Sequence, residues 1–114
     1  MKVYYLEVVT SDVDAACDTY SRLYNVEFGV GDIALGGART APFANGGMMG
    51  IRPPLRETEE PIIRPYTLVD DIQAAVDGAA KSGAEIAVPP MELPGHGMCA
   101  IVIQHGVEIG FWQI

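Results

Sequence analysis

A chain of 114 residues with 49% hydrophobic content fits one domain and can bury a core without help from a metal or from disulfides. Its formal charge of −8, with seven Lys and Arg residues that form no basic stripe, repels phosphate backbones and argues against nucleic acid as a partner. No apolar run approaches the roughly 20 residues that cross a bilayer, and the opening Met1-Lys2-Val3-Tyr4-Tyr5-Leu6-Glu7 lacks the long apolar stretch of a signal peptide. A cytoplasmic protein with no membrane contact is expected, with a small molecule or another protein as its partner.

Val3 to Val9 is rich in β-formers and alternates Tyr5, Glu7 and Val9 with Tyr4, Leu6 and Val8, which predicts a strand with two distinct faces. Ser11 or Asp12 then serves as an N-cap for a helix carrying Val13, Ala16, Cys17, Tyr20 and Leu23, with Asn25 suited to a left-handed C-terminal position. Short strands are expected at Glu27-Phe28, Ile33–Leu35 and Ala38–Phe43, followed by a turn and a last strand through Met48-Met49-Gly50. Arg52 to Pro61, with three prolines and an acidic run, reads as an exposed, solvated linker. Beyond it come a strand at Arg64–Val69 and a helix over Ile72, Ala75, Val76, Ala79 and Ala80. That helix is capped by Asp70 or Asp71 and stopped by Gly83. Strands at Glu85–Val88 and Met98–Gln104 and a final strand after His105-Gly106 complete the chain. Cys17 and Cys99 have no metal-ligand spacing and lie in apolar segments, so both are expected as buried free thiols.

The order repeats. Asp12-Val13-Asp14-Ala15-Ala16 overlies Asp71-Ile72-Gln73-Ala74-Ala75 at an offset of 59, and Asn45-Gly46-Gly47-Met48-Met49-Gly50 overlies His105-Gly106-Val107-Glu108-Ile109-Gly110 at an offset of 60. The predicted fold is α+β, two tandem βαβββ modules (1–53 and 62–114, linker 54–61) forming a curved mixed sheet around a central pocket.

Two such modules, each with an Asp-capped, Ala-rich helix, resemble the vicinal oxygen chelate superfamily of glyoxalase I, bleomycin-resistance proteins and extradiol dioxygenases. Pro89-Pro90-Met91-Glu92-Leu93-Pro94-Gly95-His96-Gly97, followed by Gly106-Val107-Glu108-Ile109-Gly110-Phe111-Trp112-Gln113, is similar to the second half of glyoxalase-related members. In metal-dependent members, the resemblance implies, each module gives one ligand from its first strand and one from its last. Here those positions are Tyr5, Gly50, Arg64 and Gly110, none of them an ordinary donor to a divalent ion. A metal-free protein is therefore expected, the alternative being a displaced site built from Glu7, Glu108, His96 and His105. The resemblance also implies a homodimer.

Period-two alternation puts Tyr5, Glu7, Met48, Gly50, Arg64, Tyr66, Glu108, Gly110 and Trp112 toward the pocket. Met48, Tyr66 and Trp112 have a plain core role as their alternative, and Arg64 a simple pairing with Glu7 or Glu108. Two glycines at ligand positions would leave room for a compact, partly aromatic ligand with an anionic group held by Arg64. Two functions follow. One is small-molecule binding of the bleomycin-resistance kind; the other is a lyase or isomerase with Glu7 or Glu108 as general base and Tyr5 or Arg64 stabilising negative charge. No cofactor fingerprint is present, and no cofactor is expected.

Overall fold

The computed structural model describes all residues, 1–114. The chain is α+β, with two α-helices, one 3-10 turn and seven strands whose ladders are both parallel and antiparallel. No helix is long and apolar enough to cross a membrane. Two compact units are present: Tyr5–Ile63, and Met1–Tyr4 with Arg64–Ile114.

In the first unit, β1 (Val3–Val9) leads into α1 (Val13–Tyr24), a 3-10 turn (Ile33–Leu35), β2 (Arg39–Pro42) and β3 (Met48–Arg52). The strand order is β2-β3-β1. β2 runs antiparallel to β3, while β3 runs parallel to β1 and sets Glu7 opposite Gly50 and Val9 opposite Arg52. Helix α1 covers one face of these strands: Val8, Cys17 and Ile51 form the core, with Val13, Ala16, Tyr20, Phe28 and Met49 packed against it. Strand periodicity then turns Tyr5, Glu7, Met48, Gly50 and Arg52 to the face away from α1. Burial pushes the Cys17 thiol above its ordinary range, and both cysteines are buried and outside any disulfide.

The second unit contains β4 (Ile62–Leu68), α2 (Ile72–Lys81), β5 (Glu85–Leu93), β6 (Gly97–Gln104) and β7 (Val107–Gln113) in the order β4-β7-β6-β5. Again the first and last strands are parallel, with Tyr66 opposite Gly110 and Leu68 opposite Trp112. α2 packs Ile72 and Val76 on Ala100, with Val69, Met98 and Phe111 around them. Glu7 and Tyr66 are 59 positions apart, and Gly50 and Gly110 are 60, so the two parallel ladders fall at the offsets read from the sequence.

Three expectations need correction. Glu27-Phe28 and Ile33–Leu35 are not strands. Asp32 accepts from Ala34 N at 2.9 Å and Gly36 and Gly37 take positive φ, which winds the second segment into a 3-10 turn. The first half therefore has three strands, where a βαβββ module would have four. In the second half, β5 runs past Val88 through Pro89 and Pro90 to Leu93; it is an edge strand pairing only with β6, with register shifts around the prolines, where missing N–H donors cost least. The stretch after β3 is irregular, as predicted, yet Glu59 within it is half-buried and tied back to Arg52.

Candidate functional site

In the first unit, Tyr5 and Gly50 form one packing pair. Tyr5 pairs with Met48 across the ladder, so its ring reaches the diagonal neighbour Gly50. A Cβ built on Gly50 would land on the Tyr5 hydroxyl and the adjoining ring carbons. The room expected beside Gly50 is taken by Tyr5, and Tyr5 is 2% exposed.

The second unit reaches the same end from a different position. Tyr66 lies directly opposite Gly110, and a Cβ on Gly110 would fall within its ring. The glycines accommodate tyrosines already in the chain, which corrects the expectation that they clear space for a ligand. Trp112 is buried with its ring 5.9 Å from that of Tyr66, edge-on, 5.7 Å from Tyr4 and 6.4 Å from His96. Its Nε1 donates to His96 O at 3.2 Å.

The candidate acids are ion-paired. Arg64 Nη2 lies 3.2 Å from Glu108 Oε1; the Arg64 side chain is buried while that of Glu108 is one-third exposed. Glu108, one of the two partners expected for Arg64, pairs with it. Glu7 accepts from Arg52 Nε at 2.8 Å, both side chains being buried. Arg52 then turns its fork to Glu59, Nη1 to Oε1 at 2.8 Å and Nη2 to Oε2 at 2.7 Å. Glu59 holds the guanidinium above its ordinary pKa; burial opposes the shift and Glu7 adds to it. Met48 is half-buried on the same strand face as Gly50.

Arg52 and Glu59 are the residues sequence reasoning missed. The signal for Arg52 was present, since it follows Gly50 by two positions and so shares its face. Glu59 had none, because its role depends on how an irregular segment folds back.

The four positions that the resemblance assigns to metal ligands are Tyr5, Gly50, Arg64 and Gly110. Tyr5 and Tyr66 occupy the space in which side chains at Gly50 and Gly110 would project, and Arg64 brings a permanent cation. His105 is exposed at φ 55° in the β6–β7 turn, and no group of three or more His, Cys, Asp or Glu residues is placed to hold a metal ion. Away from these residues, an open cavity of about 580 Å³ lies beside the start of α1, lined by Ser11, Asp14, Gly31, Gly37, Arg39 and Pro53 among others. None of the nine predicted residues lines it.

No protein-family model and no curated protein matches the chain. Solved structures do. Methylmalonyl-CoA epimerase from Mycobacterium tuberculosis is similar over 97% of this chain and 86% of its own, with TM-score 0.74 and 16% identity. A hypothetical protein from Bacillus halodurans C-125 gives TM-score 0.74 at 15% identity, over 99% and 94%. A variant of Streptomyces coelicolor methylmalonyl-CoA epimerase in complex with 2-nitronate-propionyl-CoA gives 0.69 at 17%, over 99% and 96%. The chain shares with these epimerases the glyoxalase-like, vicinal oxygen chelate fold.

Proposed function

We propose that this chain is a small-molecule-binding protein of glyoxalase-like fold that works without a divalent metal, its two halves being copies of one module. The observation that carries the reading is the pair of tyrosines packed over Gly50 and Gly110, which replaces donor positions by aromatic surface. Arg64, Glu108, Tyr66 and Trp112 are the proposed ligand contacts in the second unit. The ligand class is a compact, partly aromatic acid whose carboxylate competes with Glu108 for Arg64. Glu108 is suited to yielding, being one-third exposed and held at 3.2 Å.

A thermal-shift screen of small aromatic acids against matched amines tests this. Acids are expected to stabilise the wild type and to lose most of that effect in Arg64→Ala. Stabilisation by amines alone, or by acids equally in the variant, refutes the ligand class.

A second reading has support from the similar structures, several of which are methylmalonyl-CoA epimerases, one in complex with methylmalonyl-CoA and NH4+. An isomerase built on this chain would use Glu108 as base, since Glu7 is buried against Arg52. Exchange of the α-proton of methylmalonyl-CoA in D2O, lost in Glu108→Gln, would favour it; no exchange by the wild type leaves the binding reading.

A further inference from the structure

We infer that Arg52 heads a carboxylate-binding site, which the chain's own Glu59 occupies as an internal stand-in for a ligand carboxylate. Arg52 is fixed independently of Glu59. Its Nε is held by buried Glu7 at 2.8 Å, its Nη1 donates to Pro53 O at 3.1 Å, and its stem passes over Gly36, where a Cβ would come within 3.1 Å of Arg52 Cδ. These contacts leave the planar end of the guanidinium to Glu59, which meets it with two parallel bonds of 2.8 and 2.7 Å. That is the geometry by which arginine recognises a free carboxylate.

The segment bearing Glu59 is irregular and largely exposed. Within it, Pro53, Leu55, Arg56, Glu57, Thr58, Glu60 and Pro61 are all exposed. Two further bonds, Leu55 N to Glu59 Oε1 at 2.7 Å and Glu59 N to Arg56 O at 3.1 Å, lie within the segment itself. Withdrawing Glu59 removes one negative charge from beside the Arg52 guanidinium, and one anion can take its place. A ligand ending in a carboxylate would displace Glu59 and release the segment. The global charge of −8 opposes anions only weakly here, because salt screens surface charges beyond about 8 Å at physiological ionic strength.

The test uses the full chain, with formate as probe and chloride at equal ionic strength as control. In Glu59→Ala, formate is expected to raise the melting temperature well beyond chloride and to bind about tenfold more tightly than to the wild type, where Glu59 competes. Trypsin should cut after Arg56 faster in the variant than in the wild type, and formate should leave that cleavage fast, because it fills the site without restoring the tether. If Glu59→Ala does not fold, the same comparisons on Glu59→Gln, which keeps the shape and removes the charge, serve instead. Formate acting no better than chloride on the variant, or no differently on variant and wild type, overturns the proposal. Cleavage after Arg56 at the wild-type rate overturns the tether.

Discussion

Gly110 is small because Tyr66 lies across it. A methyl group there must displace an aromatic ring that is itself buried, and forcing extra carbon into a packed site costs roughly 1–3 kcal/mol. Gly110→Ala is therefore expected to lower the urea midpoint by about that much free energy. The effect should be coupled to the ring: the double variant Gly110→Ala, Tyr66→Ala should lose less than the sum of the single losses, since the truncated residue no longer collides with the added methyl. Additive losses would show that Tyr66 does not fill the Gly110 position. At this scale the sequence was only half legible. Period-two alternation identified Gly50 and Gly110 as facing the same way as Tyr5 and Tyr66, but nothing in one dimension says which aromatic side chain leans over which glycine. Tyr5 reaches its glycine diagonally and Tyr66 directly, so no single spacing would have served for both.

At the level of elements, the two helices begin with equivalent aspartates that behave differently. Asp71 accepts from Ala74 N at 3.0 Å and caps α2, while Ile72 N donates to Gln113 Oε1 at 2.8 Å. Asp12 occupies the N-cap position of α1 but makes no side-chain cap bond. Asp71→Ala is expected to cost about 1 kcal/mol, and Asp12→Ala to stay within about 0.5 kcal/mol, measured by chemical denaturation. Equal losses would contradict the difference in capping. Element positions were otherwise readable because apolar periodicity and caps act locally: α1 starts at Val13, Asn25 takes the left-handed position at φ 53°, and α2 starts at Ile72. The failures came where local cues were weak or opposed. Ile33–Leu35 has strand-like residues between glycines that favour a turn, and Pro89-Pro90 stops a strand by local rules unless that strand lies at a sheet edge. The prolines after Arg52 marked the irregular segment correctly, while Glu59's return to Arg52 is a long-side-chain contact with no composition signal.

For the whole molecule, we propose that a fold shared with methylmalonyl-CoA epimerases works here without a divalent ion. The argument rests on the donors themselves: two glycines covered by tyrosines, an arginine paired with Glu108, and Glu7 engaged by Arg52. Metal binding in such a fold would add to stability by mass action, because the ion binds the folded chain alone. Elemental analysis of protein purified without added metal, then dialysed against Zn, Ni, Mn and Mg together and washed, puts this to the test most directly. The expected result is no stoichiometric metal and a melting temperature unchanged by chelator; one tightly held equivalent, whose removal lowers the melting temperature, would contradict it.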